Sequence, residues 1–404
     1  VTVFFSAGEP SGDAYAAALA RSLLDRAAAA GFDLQVAGIG GRRLREVATG
    51  PVEDSSRWGA IGIAEAIRVA PRVMRGYYAA TRRLKELGQY SPYGESRLFV
   101  PIDFGYVNVR MARFARRAGW KVLYWIPPGS WRRHKQGADL PHVADEIVTP
   151  FEWSAELLRA QGAQAHWFGH PLKQLVADHL ARSGHVERLP NRLAILPGSR
   201  VQEVYTNMRY AQDVIHHLVK LVPTHLTIEF AVAPSLEARR LRDAWASFGR
   251  RADTDLFTEN DTYGCLRRAR VAIVCSGTAT LEAALCECPA IVVYRLAPIF
   301  ALEARIRRPK FEYASLPNLL LRRAAVPELL GNAPTPEQAA QEVARLWLDG
   351  PQRSAQLTAF EEVARLLGPS DGIDRCADLA WEMLTGRRTS DPATPPTEPF
   401  DTQP

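Results

Sequence analysis

Two short turns in this chain carry the residue types that hold a phosphate. Ser276-Gly277-Thr278-Ala279-Thr280-Leu281-Glu282 follows an apolar run over 271–275 and leads into a helix-like run, Ala283-Ala284-Leu285. A strand, then Ser-Gly-Thr, then a helix start offers backbone N–H groups and two hydroxyls to an anion. Pro197-Gly198-Ser199-Arg200, with Glu203 close behind, ends a second apolar run over 193–196. It adds further N–H groups, a hydroxyl and a guanidinium. Two such turns in one half of a chain suit a pyrophosphate. Glu282 can accept hydrogen bonds from ribose hydroxyls, and its charge also stabilises the start of its own helix.

Two other turns carry carboxylates instead. Ser6-Ala7-Gly8-Glu9-Pro10-Ser11-Gly12-Asp13 follows the first strand and precedes a helix. Glu9 and Asp13 would repel a phosphate, so this loop is expected to meet hydroxyls or a proton in transit. Ser11 or Asp13 can also cap the helix. The loop is not G-x-G-x-x-G, so it carries no dinucleotide fingerprint. Val100-Pro101-Ile102-Asp103 ends another strand, where Asp103 can act as a general base or cap the next helix. Asn108, one turn into that helix, is expected to face the same cleft. His170, in Phe168-Gly169-His170-Pro171, reads more readily as structural than as a base. No H-E-x-x-H, G-x-S-x-G or Walker A motif occurs, and no metal or cofactor site is expected.

These turns need strands and helices to aim them. Strands are expected over 1–6, 34–39, 97–102, 121–126 and 145–148, with helices over 13–30 and 107–118 between them. The rhythm restarts with strands over 193–196, 226–233, 271–275 and 290–294. Alternation of this kind predicts parallel sheets covered by helices. The expected class is α/β: two Rossmann-like domains, 1–170 and 171–386, facing across a cleft. Ligands in such sheets bind beyond the carboxyl ends of the strands, where all four turns lie. The Pro- and Thr-rich tail, 387–404, is expected to be disordered.

Composition narrows the class. Of 404 residues, 47% are hydrophobic and 23% charged, a globular profile. The net charge of +6 comes mostly from arginine, which suits phosphate or an anionic lipid surface. No aromatic-basic interleaving or finger pattern points to nucleic acid. The five cysteines show no C-x-x-C spacing and read as reduced, buried residues, as in a cytoplasmic protein. No run approaches the ~20 apolar residues of a membrane span. The chain opens on a strand, so no signal peptide is expected.

Taken in order, Ser6–Asp13, Gly169-His170-Pro171, Leu196-Pro197-Gly198-Ser199-Arg200 with Glu203, Ser276–Glu282 and Ser315-Leu316-Pro317-Asn318-Leu319-Leu320 resemble the lipid-A-disaccharide synthase family. Cys288-Pro289, Val293-Tyr294-Arg295 and Pro327-Glu328-Leu329-Leu330 match as well. The likeness runs over roughly residues 1–385. It implies a glycosyltransferase of the GT-B type. Such enzymes move a 2,3-diacylglucosamine from UDP to 2,3-diacylglucosamine 1-phosphate (lipid X). The products are a β-1,6-linked disaccharide 1-phosphate and UDP. The reaction inverts the anomeric centre without a cofactor, peripherally on the inner face of the cytoplasmic membrane. The resemblance assigns the base to Asp103, with Glu9 as second candidate, and gives Asn318 a place in the donor cleft.

The chain departs from the family pattern mostly in its first half. Tyr106 stands where a second Asp is usual, and Ile126-Pro127-Pro128-Gly129-Ser130-Trp131 replaces a Ser-Pro-Ser stretch. The alternatives are a UDP-N-acetylglucosamine 2-epimerase-like isomerase, or a related glycosyltransferase with a different lipid acceptor. The apolar run from Trp58 to Ile67, edged by Arg68, Arg72 and Arg75, is a candidate for lying on an anionic bilayer, or else an interior helix. A homodimer is compatible with the sequence, and no motif demands one.

Overall fold

A computed structural model describes residues 1–56, 58, 62–89, 96–130, 139–222, 225–249, 255–275, 277–295 and 313–386. Ser276, the tail 387–404, residues 59–61 and the side chains of 62–68 lie outside the described residues.

The first half builds one parallel sheet from β1 (Thr2–Ala7), β2 (Gln35–Gly40), β3 (Val52–Asp54), β4 (Arg97–Ile102), β5 (Lys121–Trp125), β6 (Glu146–Thr149) and β7 (Ala165–Trp167), in the order β3-β2-β1-β4-β5-β6-β7. The second half builds another from β8 (Arg192–Leu196), β9 (Thr227–Val232), β10 (Leu256–Glu259), β11 (Val271–Val274), β12 (Ala290–Tyr294) and β13 (Glu328–Leu330), in the order β10-β9-β8-β11-β12-β13. The central strands are buried on both faces, as parallel strands between helix layers must be. Their sequences, such as Val3-Phe4-Phe5, are accordingly apolar at successive positions. This is the two-domain α/β architecture expected from the sequence.

In each sheet the strand order reverses once, between β1 and β4 and between β8 and β11. At a reversal the connecting helices leave to opposite faces, which opens a crevice at the carboxyl ends. Register brings the crevice walls level: Ala7 pairs with Ile102, and Leu196 with Val274. The four turns singled out above therefore emerge at the two switch points.

The helix Pro10–Ala30 starts with Pro at its first position and ends at Gly31, whose φ of 71° is the left-handed form that closes helices. The last helix, Gly372–Thr385, returns to this first-half helix. Asp378 pairs with Arg26 at 2.8 Å, and Trp381 meets the Phe32 ring edge-on at 5.5 Å between centroids. The two crossings between the halves run side by side, with His170 N donating to Leu367 O at 2.8 Å. One buried cluster therefore spans both halves, from Leu19 and Trp125 to Phe360 and Cys376. All five cysteines are buried and unbridged.

One charged network lies inside the second half. Glu229 of β9 is fully buried and bound by Arg192 at 2.8 Å, Arg268 at 2.6 Å and the Thr258 hydroxyl at 2.8 Å. Removing one member of a buried ion network strands the others, at about 3–5 kcal/mol. Glu229→Ala is therefore expected to lower the urea midpoint by that equivalent. An unchanged midpoint would show that the arginines find other partners.

Candidate active site

The switch-point turns line a single cleft of about 440 Å³ between the halves. Glu9, Ser11 and Asp103 reach it from the first half. Gly198, Ser199, Arg200, Glu203, Gly277, Thr278 and Glu282 reach it from the second. Four loops far apart in sequence thus converge on one volume.

Asp103 sits on an unusual piece of backbone. Pro101 of β4 has no N–H, and the pairing with β5 is interrupted there, resuming at Ile102 opposite Trp125. The chain then turns sharply. Asp103 and Phe104 take left-handed φ values of 46° and 49°, and Ile126 at the end of β5 takes 54°. Side chains other than glycine rarely adopt this form, and each such residue costs about 1–3 kcal/mol. Asn108 holds the turn in place: its amide donates to the carbonyls of Ser6 (3.0 Å), Ile102 (3.1 Å) and Asp103 (3.0 Å). Its own carbonyl accepts from the Ser6 hydroxyl at 2.6 Å. Gly8 completes the lock, since a Cβ there would lie 2.3 Å from the Phe104 ring.

Burial is the larger cause, and the Glu9 charge the smaller, of an Asp103 pKa raised to about 6. The residue keeps an exposed surface inside the cleft, so this shift reflects enclosure by the cleft walls, moderated by the water that reaches it. A carboxylate with this pKa is ionised at neutral pH yet basic enough to take a proton.

Arg200 faces it from the other half. Gly198, at φ 111°, makes the turn that lets Arg200 project. The guanidinium lies 3.3 Å from Glu9 across the cleft and 3.2 Å from Glu203 behind it. Glu203 also accepts from the Tyr294 hydroxyl at 3.0 Å. Glu282, in the helix Ala279–Leu285, has its pKa raised to about 7 by burial, against the opposing charge of Arg43.

Three expected site residues sit behind the cleft wall. Asp13 is buried, and its carboxylate accepts from the backbone N–H groups of Gly41 (2.7 Å), Arg43 (3.0 Å) and Leu44 (3.1 Å). It caps the helix Arg42–Val47, not its own. Asn108 is the brace just described. Asn318 is buried, accepting from Ala325 N and Val326 N and donating to Val326 O and Glu328, each at 2.8 Å. It fixes the loop entering β13. His170 is likewise structural: its Nδ1 accepts from Leu172 N at 3.1 Å, and burial lowers its pKa to about 3. The ring stays neutral and caps the helix Pro171–Ser183.

Sequence reasoning missed Tyr15, Arg43 and Tyr263, which also line the cleft. The available signal for Arg43 was a fifth glycine turn, Gly40-Gly41, at the carboxyl end of β2.

A family model described as lipid-A-disaccharide synthetase matches residues 3–372. The chain belongs to the lipid-A-disaccharide synthase family. The lipid-A-disaccharide synthase of Acidobacterium capsulatum is 30% identical over 401 residues, 95% of this chain and 97% of that one. The Myxococcus xanthus enzyme is 29% identical over 386 residues, 94% and 96% respectively. Among solved structures, Acinetobacter baumannii MurG superposes with a TM-score of 0.51 at 15% identity, over 94% of this chain and 99% of that one. A Methanocaldococcus jannaschii UDP-GlcNAc 2-epimerase, in complex with UDP-GlcNAc and UDP, gives 0.51 at 12% identity, over 91% and 98%. At such identities the structural likeness shows the GT-B fold alone, so it does not favour the isomerase. The sequence relatives decide it: as a lipid-A-disaccharide synthase family member, this protein is a glycosyltransferase.

Proposed function

We propose that this protein transfers a 2,3-diacylglucosamine from UDP to the 6-hydroxyl of lipid X, with inversion, giving the β-1,6-linked disaccharide 1-phosphate and UDP. The observation that carries this reading is the convergence of Asp103 and Arg200 on one cleft from opposite switch points.

In the proposed step, the Asp103 carboxylate takes the proton of the acceptor hydroxyl as its oxygen attacks the anomeric carbon. The new C–O bond forms as the bond to the UDP oxygen breaks. The electron pair leaves with UDP, and the developing charge falls toward Arg200 and the N–H groups around Gly198 and Gly277. Glu9 is held back by Arg200 until the diphosphate arrives. Ser11, Ser199 and Thr278 supply hydroxyls to the sugars and phosphates, and Glu282 accepts from ribose. Asp13, Asn108 and Asn318 position the loops that carry these groups. The first half, to about residue 170, takes the acceptor, and the second the nucleotide, with the last helix belonging spatially to the first.

Acylated substrates favour action at a membrane surface. Among the described residues no helix is long and apolar enough to cross a membrane. The helix Gly62–Gln89 does expose Met74 and Tyr78, beside Arg72, Arg75 and Arg82. An apolar face edged by arginines supports peripheral attachment to the inner face of the cytoplasmic membrane.

The direct test is UDP release from UDP-2,3-diacylglucosamine with and without lipid X. Acceptor-dependent release is expected. Turnover of unacylated UDP-N-acetylglucosamine without acceptor would overturn the reading in favour of an isomerase.

A further inference from the structure

Among the described residues, Arg200 and Arg43 are the two cations that line the cleft. Arg200 is engaged by Glu9 and Glu203. Arg43 differs: among the described residues, its guanidinium makes no ion pair and no hydrogen bond. Its helix neighbours are paired, Arg42 with Glu46 at 2.7 Å and Arg45 with Asp54 at 3.8 Å. Its backbone is nonetheless fixed, since Asp13 accepts from its N–H at 3.0 Å and from those of Gly41 and Leu44. A half-buried arginine on a fixed backbone, with no ion pair or hydrogen bond of its own among the described residues, is arranged for an anion that arrives.

The charges it feels locate that anion. Arg43 is the cation that opposes the raised pKa of Glu282, and it also acts on Tyr15 and Tyr263. Asp103 feels Glu9 instead. Arg43 therefore stands near Glu282, while Arg200 is held by Glu9 and Glu203, and all of these groups line the one cleft with Asp103. In the proposed function, which this inference rests on, Glu282 holds ribose and Asp103 the attacking hydroxyl. The group between ribose and the reacting carbon is the diphosphate.

We infer that Arg43, although carried by the acceptor-side half, binds the nucleoside diphosphate of the donor, opposite Arg200. The nucleotide seat is then built from both halves. Arg200 comes from the β8 turn and Arg43 from the β2 turn, so the diphosphate draws the halves together.

Calorimetric titration of wild type, Arg43→Gln and Arg43→Lys with UDP and with uridine tests this. Charge-assisted hydrogen bonds of this kind carry about a 10- to 100-fold effect. The Gln variant should bind UDP that much more weakly, the Lys variant should recover part of the loss, and all three should bind uridine alike. Thermal midpoints should agree, because the side chain supports no described contact. Unchanged UDP affinity in Arg43→Gln overturns the inference. An equal loss for uridine also overturns it, since Arg43 would then act only through Glu282. So does a change confined to the KM of the phosphorylated acceptor. Wild type failing to bind UDP would sink the donor reading itself, a different result from wild type and variant binding UDP equally.

Discussion

Asp103→Asn lowers kcat by about 10²- to 10⁴-fold, the range supplied by a positioned general base, while UDP affinity is retained. Asparagine is the informative replacement. It has the same size and tolerates the left-handed φ of 46° that this position requires. The turn braced by Asn108 and Gly8 should therefore survive. The sign of the pH dependence follows from the same group. The active form is the carboxylate, and its pKa is raised to about 6. Wild-type kcat/KM should fall as pH drops through that value. Because Glu9 contributes to the shift, Glu9→Gln should move this acid limb to lower pH. Retention of turnover in Asp103→Asn, or loss of UDP binding, would refute the assignment of base and halves.

Arg200→Ala should reduce kcat/KM by about 10²- to 10³-fold, the usual effect of deleting one group that stabilises a leaving charge. Lysine should not restore it, because a point charge cannot meet Glu203 and a phosphate with the geometry of a fork. Glu9 gives the opposite sign. In the free protein it holds Arg200 across the cleft at 3.3 Å, so the donor diphosphate must displace it. Both side chains are about 28% exposed, which limits the pair to ~1 kcal/mol. Glu9→Gln should therefore tighten UDP binding by up to about fivefold. A weaker UDP complex in that variant would mean Glu9 helps to hold the nucleotide. Steady-state kinetics read the Arg200 loss, and isothermal titration with UDP reads the Glu9 gain.

The central strands were legible from sequence because both of their faces are buried. β1, β4, β8, β11 and β12 therefore appear as mostly apolar runs. The four strands that went unread, β3, β7, β10 and β13, are the outer strands of their sheets. They are short, and β3 and β10 end in Glu-Asp and Thr-Glu, as exposed edges must. The glycine turns read from sequence lie at the switch points and line one cleft. What sequence could not separate was facing the cleft from standing behind it. Asp13, Asn108 and Asn318 have the chemistry of ligand contacts, yet each is engaged by backbone groups and, for the two asparagines, by Ser6 and Glu328 as well. Arg43 was hidden for the converse reason: its glycine turn follows β2, away from the switch points, and only the folded chain brings it near Glu282.

The left-handed pair Asp103-Phe104 also bears on how this protein would respond to selection in the laboratory. Glycine at Phe104 would strip the ring that packs on Gly8 and Trp58 and lose more than it relaxes. Glycine at Asp103 would relax the backbone, and so raise stability, while removing the base. A library screened only for heat tolerance should therefore accumulate glycine at Asp103 and go inactive. One screened for turnover should keep both residues and gain its stability elsewhere.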